Sequence, residues 1–320
     1  MILVTGGTGF IGQVLIQHLV EAGHRVRTLV RPSSQSPNLP KGIPVEVAVT
    51  SLKDERGLRA AMMGVHTVYH LASSERRGAY GNMMETDAQG TRAVAETAID
   101  SGVQHLFFIS HLGADRASAY PILQIKGIAE EHIRNSGVNF TILRSAVAFG
   151  PGDRYTTRLA WLARSLPFIF PLPGDGNTIV QPIWVEDLVA CLIWALDDEG
   201  ARNRIYEVGG GEYLTITQIM ETILSTMRMR RRFVHLPPPS LRTITMFLES
   251  SWRGFPLSIY WLDYLATNRT CSLDTLPRVF NLIPARFSQH IEYLKTPDWL
   301  RTFRYMLRRE RQEKRRRQKS

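Results

Sequence analysis

Three glycines spaced by three, Gly6-x-x-Gly9-x-x-Gly12, carry the strongest chemical signal in the sequence. The apolar run Ile2-Leu3-Val4-Thr5 precedes them, and Val14, Leu15, Leu19 and Val20 follow at helical spacing. A glycine directly after a strand lets the chain turn sharply. A second, without Cβ, lets a ligand approach the backbone, and a third lets the helix pack closely on the strand. The helix that starts there offers unpaired N–H groups and the positive end of its dipole to an anion. That chemistry suits a diphosphate, and Gly6, Thr8, Gly9, Phe10, Ile11 and Gly12 form the expected cradle for a dinucleotide. The next strand ends Leu29-Val30-Arg31-Pro32-Ser33-Ser34. An Asp or Glu here would hold a ribose 2′-hydroxyl, whereas Arg31, assisted by Ser33 or Ser34, can pair with a 2′-phosphate. The expected cofactor is therefore NADP(H), with NAD left open.

A parallel sheet is the element that positions such groups. Apolar runs predict strands over 2–5, 24–30, 45–49, 67–71, 106–110 and 139–143. Helical spacing predicts helices over 13–21, 54–62, 86–101 and 122–135. Strands alternating with helices predict an α/β, Rossmann-type, doubly wound parallel sheet with helices on both faces. After Gly150-Pro151-Gly152 the texture changes, with prolines at 167, 171, 173 and 182 and a turn at Pro173-Gly174-Asp175-Gly176. Helices are expected over 186–196 and 217–227, a strand over 205–208, and a helical stretch with one apolar side over 240–265. The expected organisation is an NAD(P)-binding domain over 1–150, to which later strands can add. A smaller substrate lobe over 151–300 closes on the sheet, and a basic helical tail occupies 301–320. Trp299, Leu300, Phe303, Met306 and Leu307 share one face of the last helical stretch.

Composition narrows the function classes. Of 320 residues, 44% are hydrophobic and 21% charged, which excludes a disordered or fibrous chain. The formal net charge is +10, yet residues 301–320 hold ten Lys or Arg and two Glu, so the other 300 residues carry only +2. An excess confined to a tail makes nucleic acid an unfavoured partner, since a nucleic-acid-binding fold spreads basic residues over a docking surface. An anionic membrane surface is the alternative partner for the tail, and a solvated tail the plainer one. The cluster Arg228, Arg230, Arg231 and Arg232 is read as a solvated helix end. Two cysteines argue against a disulfide framework, and no signal segment or bilayer-length apolar run is found, so a cytoplasmic address, peripheral at most to a membrane, is expected. No His-Glu-x-x-His or Cys-x-x-Cys spacing occurs, and no metal is expected.

The ordered motifs resemble the short-chain dehydrogenase/reductase superfamily, in its extended or atypical branch. Thr5 to Gly12 is similar to that branch's glycine fingerprint. His70-Leu71-Ala72-Ser73 resembles its fourth-strand motif, which implies Leu71 and Ala72 as cofactor contacts. Asp87-x-x-Gly90-Thr91 resembles its Asn-x-x-Gly-Thr helix, and Ile142-Leu143-Arg144 with Phe149 to Asp153 its sixth strand and loop. Gln181 to Leu188 and Tyr206-Glu207-Val208-Gly209-Gly210 continue the likeness, which covers residues 1–230. Within the branch the chain is similar to NmrA-like and epimerase/dehydratase-like proteins. It is also similar to relatives of the nucleotide-binding accessory subunit of respiratory complex I.

The resemblance implies a Tyr as proton donor with a Lys four residues later that holds the nicotinamide ribose. Lys126 fits the Lys, but Ile122 stands at the Tyr position. Tyr120 lies six residues before Lys126, and Pro121 favours a helix start, so Tyr120 is expected just outside the helix. Ser110 matches a Ser or Thr that hydrogen-bonds substrate. His111 is read as a surface or cofactor-facing residue, with proton shuttling as the alternative. Lys126, Tyr120 and Ser110 are the catalytic candidates. The expected activity is NADP(H)-dependent oxidoreductase or epimerase-like chemistry on a carbonyl, hydroxyl or nucleotide-sugar-like substrate. The alternative is a non-catalytic NAD(P)H-binding assembly factor or redox sensor.

Overall fold

The computed structural model describes residues 1–33, 36–75, 82–251, 262–263, 265–296, 298–301 and 303–304. Six strands follow in chain order through the first half: β1 (Ile2–Thr5), β2 (Val26–Val30), β3 (Glu46–Val49), β4 (Thr67–His70), β5 (His105–His111) and β6 (Phe140–Ser145). The helices between them are α1 (Phe10–Glu21), α2 (Glu55–Met62), α3 (Gly90–Asp100) and α4 (Pro121–Ser136). The second half contributes β7 (Ala148–Phe149), α5 (Tyr155–Ser165), β8 (Ile169–Pro173), β9 (Ile179–Val180), β10 (Ile183–Trp184), α6 (Val185–Asp197), β11 (Arg204–Val208), β12 (Leu214–Thr215), α7 (Ile216–Thr226), β13 (Arg232–Leu236) and α8 (Pro238–Ser251). The central sheet has seven strands in the order β11-β6-β5-β4-β1-β2-β3, all parallel. This is the expected Rossmann-type α/β architecture.

β1 and β4 lie at the middle of the sheet and are buried at every residue, which is why β1 runs apolar as far as Val4, while β4 buries Thr67 and His70 beside Val68 and Tyr69. On one face, Leu15, Ile16 and Leu19 of α1 pack with Leu188 and Leu192 of α6 against Tyr69 and Phe107. The opposite face packs Leu58, Met62, Val94, Ala98 and Ile133 from α2, α3 and α4 against Phe108. Each such valine, leucine, isoleucine, methionine or phenylalanine removed from water contributes about 2 kcal/mol. Local signals set the helix ends. Asp54 caps α2 by accepting from the Gly57 N–H, Pro121 opens α4, and Gly137 closes it in the left-handed region at φ 88°.

Three sequence expectations change. α1 begins at Phe10 rather than 13, so the helix starts inside the glycine motif. The single helix expected over 86–101 is a π-helical turn, Met84–Gln89, that runs into α3. Amphipathic periodicity does not resolve one widened turn from α-helix. The two-residue strands of the second half were not expected, because elements so short leave no periodic pattern, and α5 was not expected because the face it buries includes Thr156, Thr157 and Arg158, which blur an apolar stripe. A second core, built on Phe149, Leu159, Phe170, Ile219, Phe287 and Trp299, lies in this half. The helical stretch expected over 240–265 is α8 up to Ser251, and residues 252–261 lie outside the described residues. Trp299 and Phe303 are buried in the second core, while Met306, Leu307 and the basic run 308–319 lie outside the described residues. Among the described residues no helix is long and apolar enough to cross a membrane.

Candidate functional site

The glycine motif forms a turn at the carboxyl end of β1. Gly6 has φ +75°, and a Cβ on it would stand 2.6 Å from the Leu71 carbonyl and 2.7 Å from the Ala72 nitrogen. The turn therefore lies against the backbone that leaves β4. A Cβ on Gly12 would meet the Gly6 oxygen at 2.4 Å, so α1 sits as close to the turn as backbone allows. Gly9 differs, because a Cβ there would meet only the Gly6 oxygen, at 3.1 Å, and otherwise open space. Gly9 is also the N-cap of α1, with no side-chain cap, so the first-turn N–H groups at Phe10 and Ile11 have no partner within the helix. An uncapped helix end beside open space fits a diphosphate. The Phe10 ring reaches the second half, with its Cζ 3.1 Å from where a Gly150 Cβ would stand. Arg31 and Ser33 are exposed just past the end of β2, and Ser34 lies outside the described residues.

A chain of hydrogen bonds, ended by an ion pair, ties this turn to α4. Thr91 Oγ1 donates to the Asp87 carbonyl, so His70 Nε2 must donate to Thr91 Oγ1, at 3.0 Å. His70 Nδ1 then accepts from Thr5 Oγ1 at 2.7 Å, and Thr5 Oγ1 accepts from the Ala72 N–H. One tautomer satisfies every group. Burial, with the Lys126 charge adding to it, pushes the His70 pKa down to about 3, so this ring is a neutral strut. Asp87 Oδ2 accepts from both the backbone N–H and the hydroxyl of Ser74, at 2.9 and 2.7 Å. Its Oδ1 lies 3.6 Å from Lys126 Nζ, and that ammonium stands 5.1 Å from the centre of the Phe108 ring. Asp87 is 1% exposed and Lys126 5%.

At the end of β5, Ser110 is fully buried and its hydroxyl has no hydrogen-bond partner among the described residues. Strand alternation puts it on the face of Phe108, the side on which Lys126 stands. His111 Nε2 donates to Glu75 Oε2 at 3.0 Å. Burial pushes the Glu75 carboxyl up, but the charges of His111, Lys126 and Arg158 outweigh it and hold its pKa at about 2. Ile122 is sealed among Met83, Ala88, Leu123 and Ile125, 1% exposed. Tyr120 is the N-cap residue of α4, extended at φ −92° and ψ 115°, and so outside the helix. Its ring lies 6.0 Å from the Arg269 guanidinium and lines a cleft of about 480 Å³ with Asp115, Glu207 and Asn268. Among the described residues, neither Lys126, Ser110 nor the glycine turn lines that cleft. The structure thus brings Gly6, Leu71, Ala72 and Lys126 together through one chain of contacts, and places Tyr120 on a different surface.

Comparison with known proteins agrees with this geometry. The model of an NAD(P)H-binding family matches residues 6–158, and that of the NAD dependent epimerase/dehydratase family matches residues 116–209. The two models together match residues 6–209, and the chain is similar over that stretch to these NAD(P)H-binding, epimerase/dehydratase families. The mitochondrial NADH dehydrogenase (ubiquinone) 1 alpha subcomplex subunit 9 of Arabidopsis thaliana is 30% identical over 242 residues, which cover 74% of this chain and 60% of that protein. Ceramide reductase of Caulobacter vibrioides is 27% identical over 311 residues, covering 94% of this chain and 96% of the relative. The NADPH-dependent quinone oxidoreductase of Escherichia coli, solved with NADPH, superposes with a TM-score of 0.71 at 20% identity, over 92% of this chain and all of that one. That last likeness is one of fold. Members of the NAD(P)H-binding, epimerase/dehydratase families are NAD(P)-dependent oxidoreductases and epimerases, and a nicotinamide dinucleotide is the cofactor class of this chain.

Several site residues escape sequence reasoning. Gly7 was given no role, yet a Cβ there would overlap Thr28 Oγ1 at 2.3 Å, so it is the glycine that seats the turn on β2. Ser74, Glu75 and Arg158 had no motif to announce them. Asp87 was visible as a departure from the Asn of the family pattern, and the departure gives the buried Lys126 a counter-charge.

Proposed function

We propose that this chain is an NADP(H)-dependent oxidoreductase acting on a carbonyl, hydroxyl or nucleotide-sugar-like substrate, with residues 1–150 binding the dinucleotide and 151–300 closing over the substrate. One observation carries the reading. Lys126 is an ammonium held in the interior beside the loop that leaves β4, bound through Asp87 to Ser74. Burying an ion pair costs several kcal/mol, and such costs concentrate at functional sites. The bound dinucleotide supplies the hydride. The glycine turn holds the diphosphate, and Arg31 with Ser33 supports a 2′-phosphate, which favours NADP over NAD. Lys126 offers its N–H donors to ribose hydroxyls, and the Ser110 hydroxyl offers a hydrogen bond to a substrate oxygen. Tyr120 lines the neighbouring cleft, where it can contact substrate.

Ile122 favours a second reading, in which the chain holds NAD(P)H as an assembly factor or redox sensor, since a sealed apolar side chain stands where the family's phenol would be. Release of nucleotide from the purified protein, identified by mass, tests the cofactor. NADP(H) is expected, and NAD(H) would overturn the Arg31 argument. The reduced, loaded protein is then mixed with a panel of ketones and sugar nucleotides. Oxidation of the nicotinamide supports the enzyme, whereas a tightly held nucleotide that no compound oxidises selects the second reading.

A further inference from the structure

We propose that the surface formed by β8, β13 and α8 docks on an anionic phospholipid membrane. The inference concerns the second half of the chain and goes beyond the cofactor reading. β8 and β13 form a two-stranded parallel ribbon in which Ile169 pairs with Arg232, Pro171 with Val234 and Pro173 with Leu236. Residues in register share a face of the ribbon, and every second residue along a strand shares it too. These six therefore stand on one side. The other side carries Phe170 and Leu172, which are buried in the second core. The first side faces outward, and five of its six residues are apolar. Ile169 and Val234 on it are exposed, and Phe168, just before β8, is 79% exposed.

α8 is inverted for a helix in water. It buries Thr245 and Glu249, 2% and 6% exposed and one turn apart, and turns Ile244, Met246 and Phe247 outward. A helix on the surface of a soluble protein buries its apolar stripe and exposes its polar one. The orientation is pinned from within. Arg242 donates to the buried Asp263 at 2.5 Å, and the Asp263 carbonyl accepts from the buried Arg269 at 3.2 Å. α8 joins the ribbon through Pro237, and Pro238 lies against the turn after β8, 3.9 Å from where a Gly174 Cβ would stand.

Charge selects the partner. Residues 164–174 and 227–248 hold six arginines and no Asp or Glu. Arg228 and Arg230 are exposed in the turn between α7 and β13, and Arg232 is exposed on the outward side of the ribbon. The arginine cluster is thus more than a solvated helix end, because it borders an exposed apolar surface. Apolar side chains that enter the headgroup region, flanked by guanidinium groups that meet lipid phosphate, are the composition of an interfacial surface. A second copy of the chain would set the arginines of one face against those of the other, a repulsive arrangement. A nucleic acid would engage the arginines and leave Phe168, Ile244 and Met246 in water.

Sedimentation of the full chain with vesicles tests the proposal. Vesicles of phosphatidylcholine containing about one-third phosphatidylglycerol should bind it at least about tenfold more tightly than phosphatidylcholine alone, and less so as salt is raised. The basic run at the end of the chain adds an attraction of its own, so the decisive variant leaves every charge in place. Phe168→Ser combined with Met246→Ser should lower affinity for the anionic vesicles about tenfold. Arg230→Gln combined with Arg232→Gln should lower it too and flatten the salt dependence. All four side chains are exposed, so thermal melts of both variants should match wild type. No binding to anionic vesicles overturns the proposal. So does binding that the serine variant leaves unchanged, which would assign it to the basic run alone. A dimer in solution that the serine variant dissociates would assign the face to a second copy and overturn the proposal as well.

Discussion

Replacing Gly9 by alanine separates the binding role of the glycine turn from its folding role. The backbone at this N-cap is extended, φ −81° and ψ 172°, a conformation that alanine adopts freely. The added methyl meets the Gly6 oxygen at 3.1 Å, a contact the turn must relieve by a few tenths of an ångström. Alanine is a poorer N-cap than glycine, but it reduces the entropy of the unfolded chain, and the two effects, each about 0.5–1 kcal/mol, offset one another. The expected change in unfolding free energy is therefore within about 1 kcal/mol. The binding term is larger. A methyl projecting into the space over the helix end stands where a phosphate oxygen must approach the backbone, and NADPH affinity should fall at least about thirtyfold, roughly 2 kcal/mol. Gly12→Ala serves as the contrast: its methyl would overlap the Gly6 oxygen at 2.4 Å and the Gly7 Cα at 2.8 Å, so it should lower stability and binding together. Urea unfolding and fluorescence titration with NADPH measure the two quantities on the same samples. If Gly9→Ala folds as wild type and binds NADPH unchanged, the diphosphate does not lie over Gly9, and the cofactor placement is wrong.

Three further perturbations test other links. Arg31→Ala should lower NADPH affinity about tenfold and leave NADH affinity within about twofold, by competitive titration; equal losses for both would remove Arg31 from 2′-phosphate recognition. Asp87→Asn keeps a group that can accept from Ser74 but removes the counter-charge of a buried ammonium, and should cost about 3 kcal/mol in urea unfolding; a loss under about 1 kcal/mol would mean that Lys126 is solvated in solution. His70 has a folded pKa of about 3, below its unfolded value, so the unfolded chain binds the extra proton and stability is lost as pH falls below about 6.5. Between pH 7.5 and 5.5 this group alone removes about 1.4 kcal/mol, and His70→Asn should be less pH-sensitive by that amount in parallel unfolding series, with identical slopes counting against the buried neutral ring.

What could be read from the sequence follows from how local each constraint is. Gly6 and Gly12 are legible because a left-handed turn and a backbone approach each admit one residue type, and the requirement is written within seven positions. The sheet is legible because its inner strands are buried on both faces, so that β1 runs Ile2-Leu3-Val4 without alternation and β4 carries Val68-Tyr69. Contacts between elements are another matter. Glu75 and His111 are 36 residues apart, on the ends of neighbouring strands, and no spacing rule joins them until the register of β4 with β5 is known. Arg158 comes from a helix that the sequence did not announce at all. β11 illustrates the same limit, since its residues read as a strand but only the sheet order shows that it pairs with β6 at the edge.

Ile122, Asp87 and Glu75 are best understood as one redistribution of charge. In the pattern the chain resembles, the lysine's positive field lowers the pKa of a phenol four residues before it, and a neutral Asn occupies the position of Asp87. Here the phenol is replaced by an enclosed isoleucine, so a field at that point has nothing to ionise. An unopposed ammonium would then bear its full desolvation cost, and the carboxylate of Asp87 at 3.6 Å compensates it. The field that remains acts, together with the charges of His111 and Arg158, on Glu75, whose pKa is held at about 2. The same argument implies that restoring a tyrosine at position 122 alone cannot restore the family's chemistry, because the side chain there points into the cluster of Met83, Ala88 and Ile125 rather than toward the loop that leaves β4.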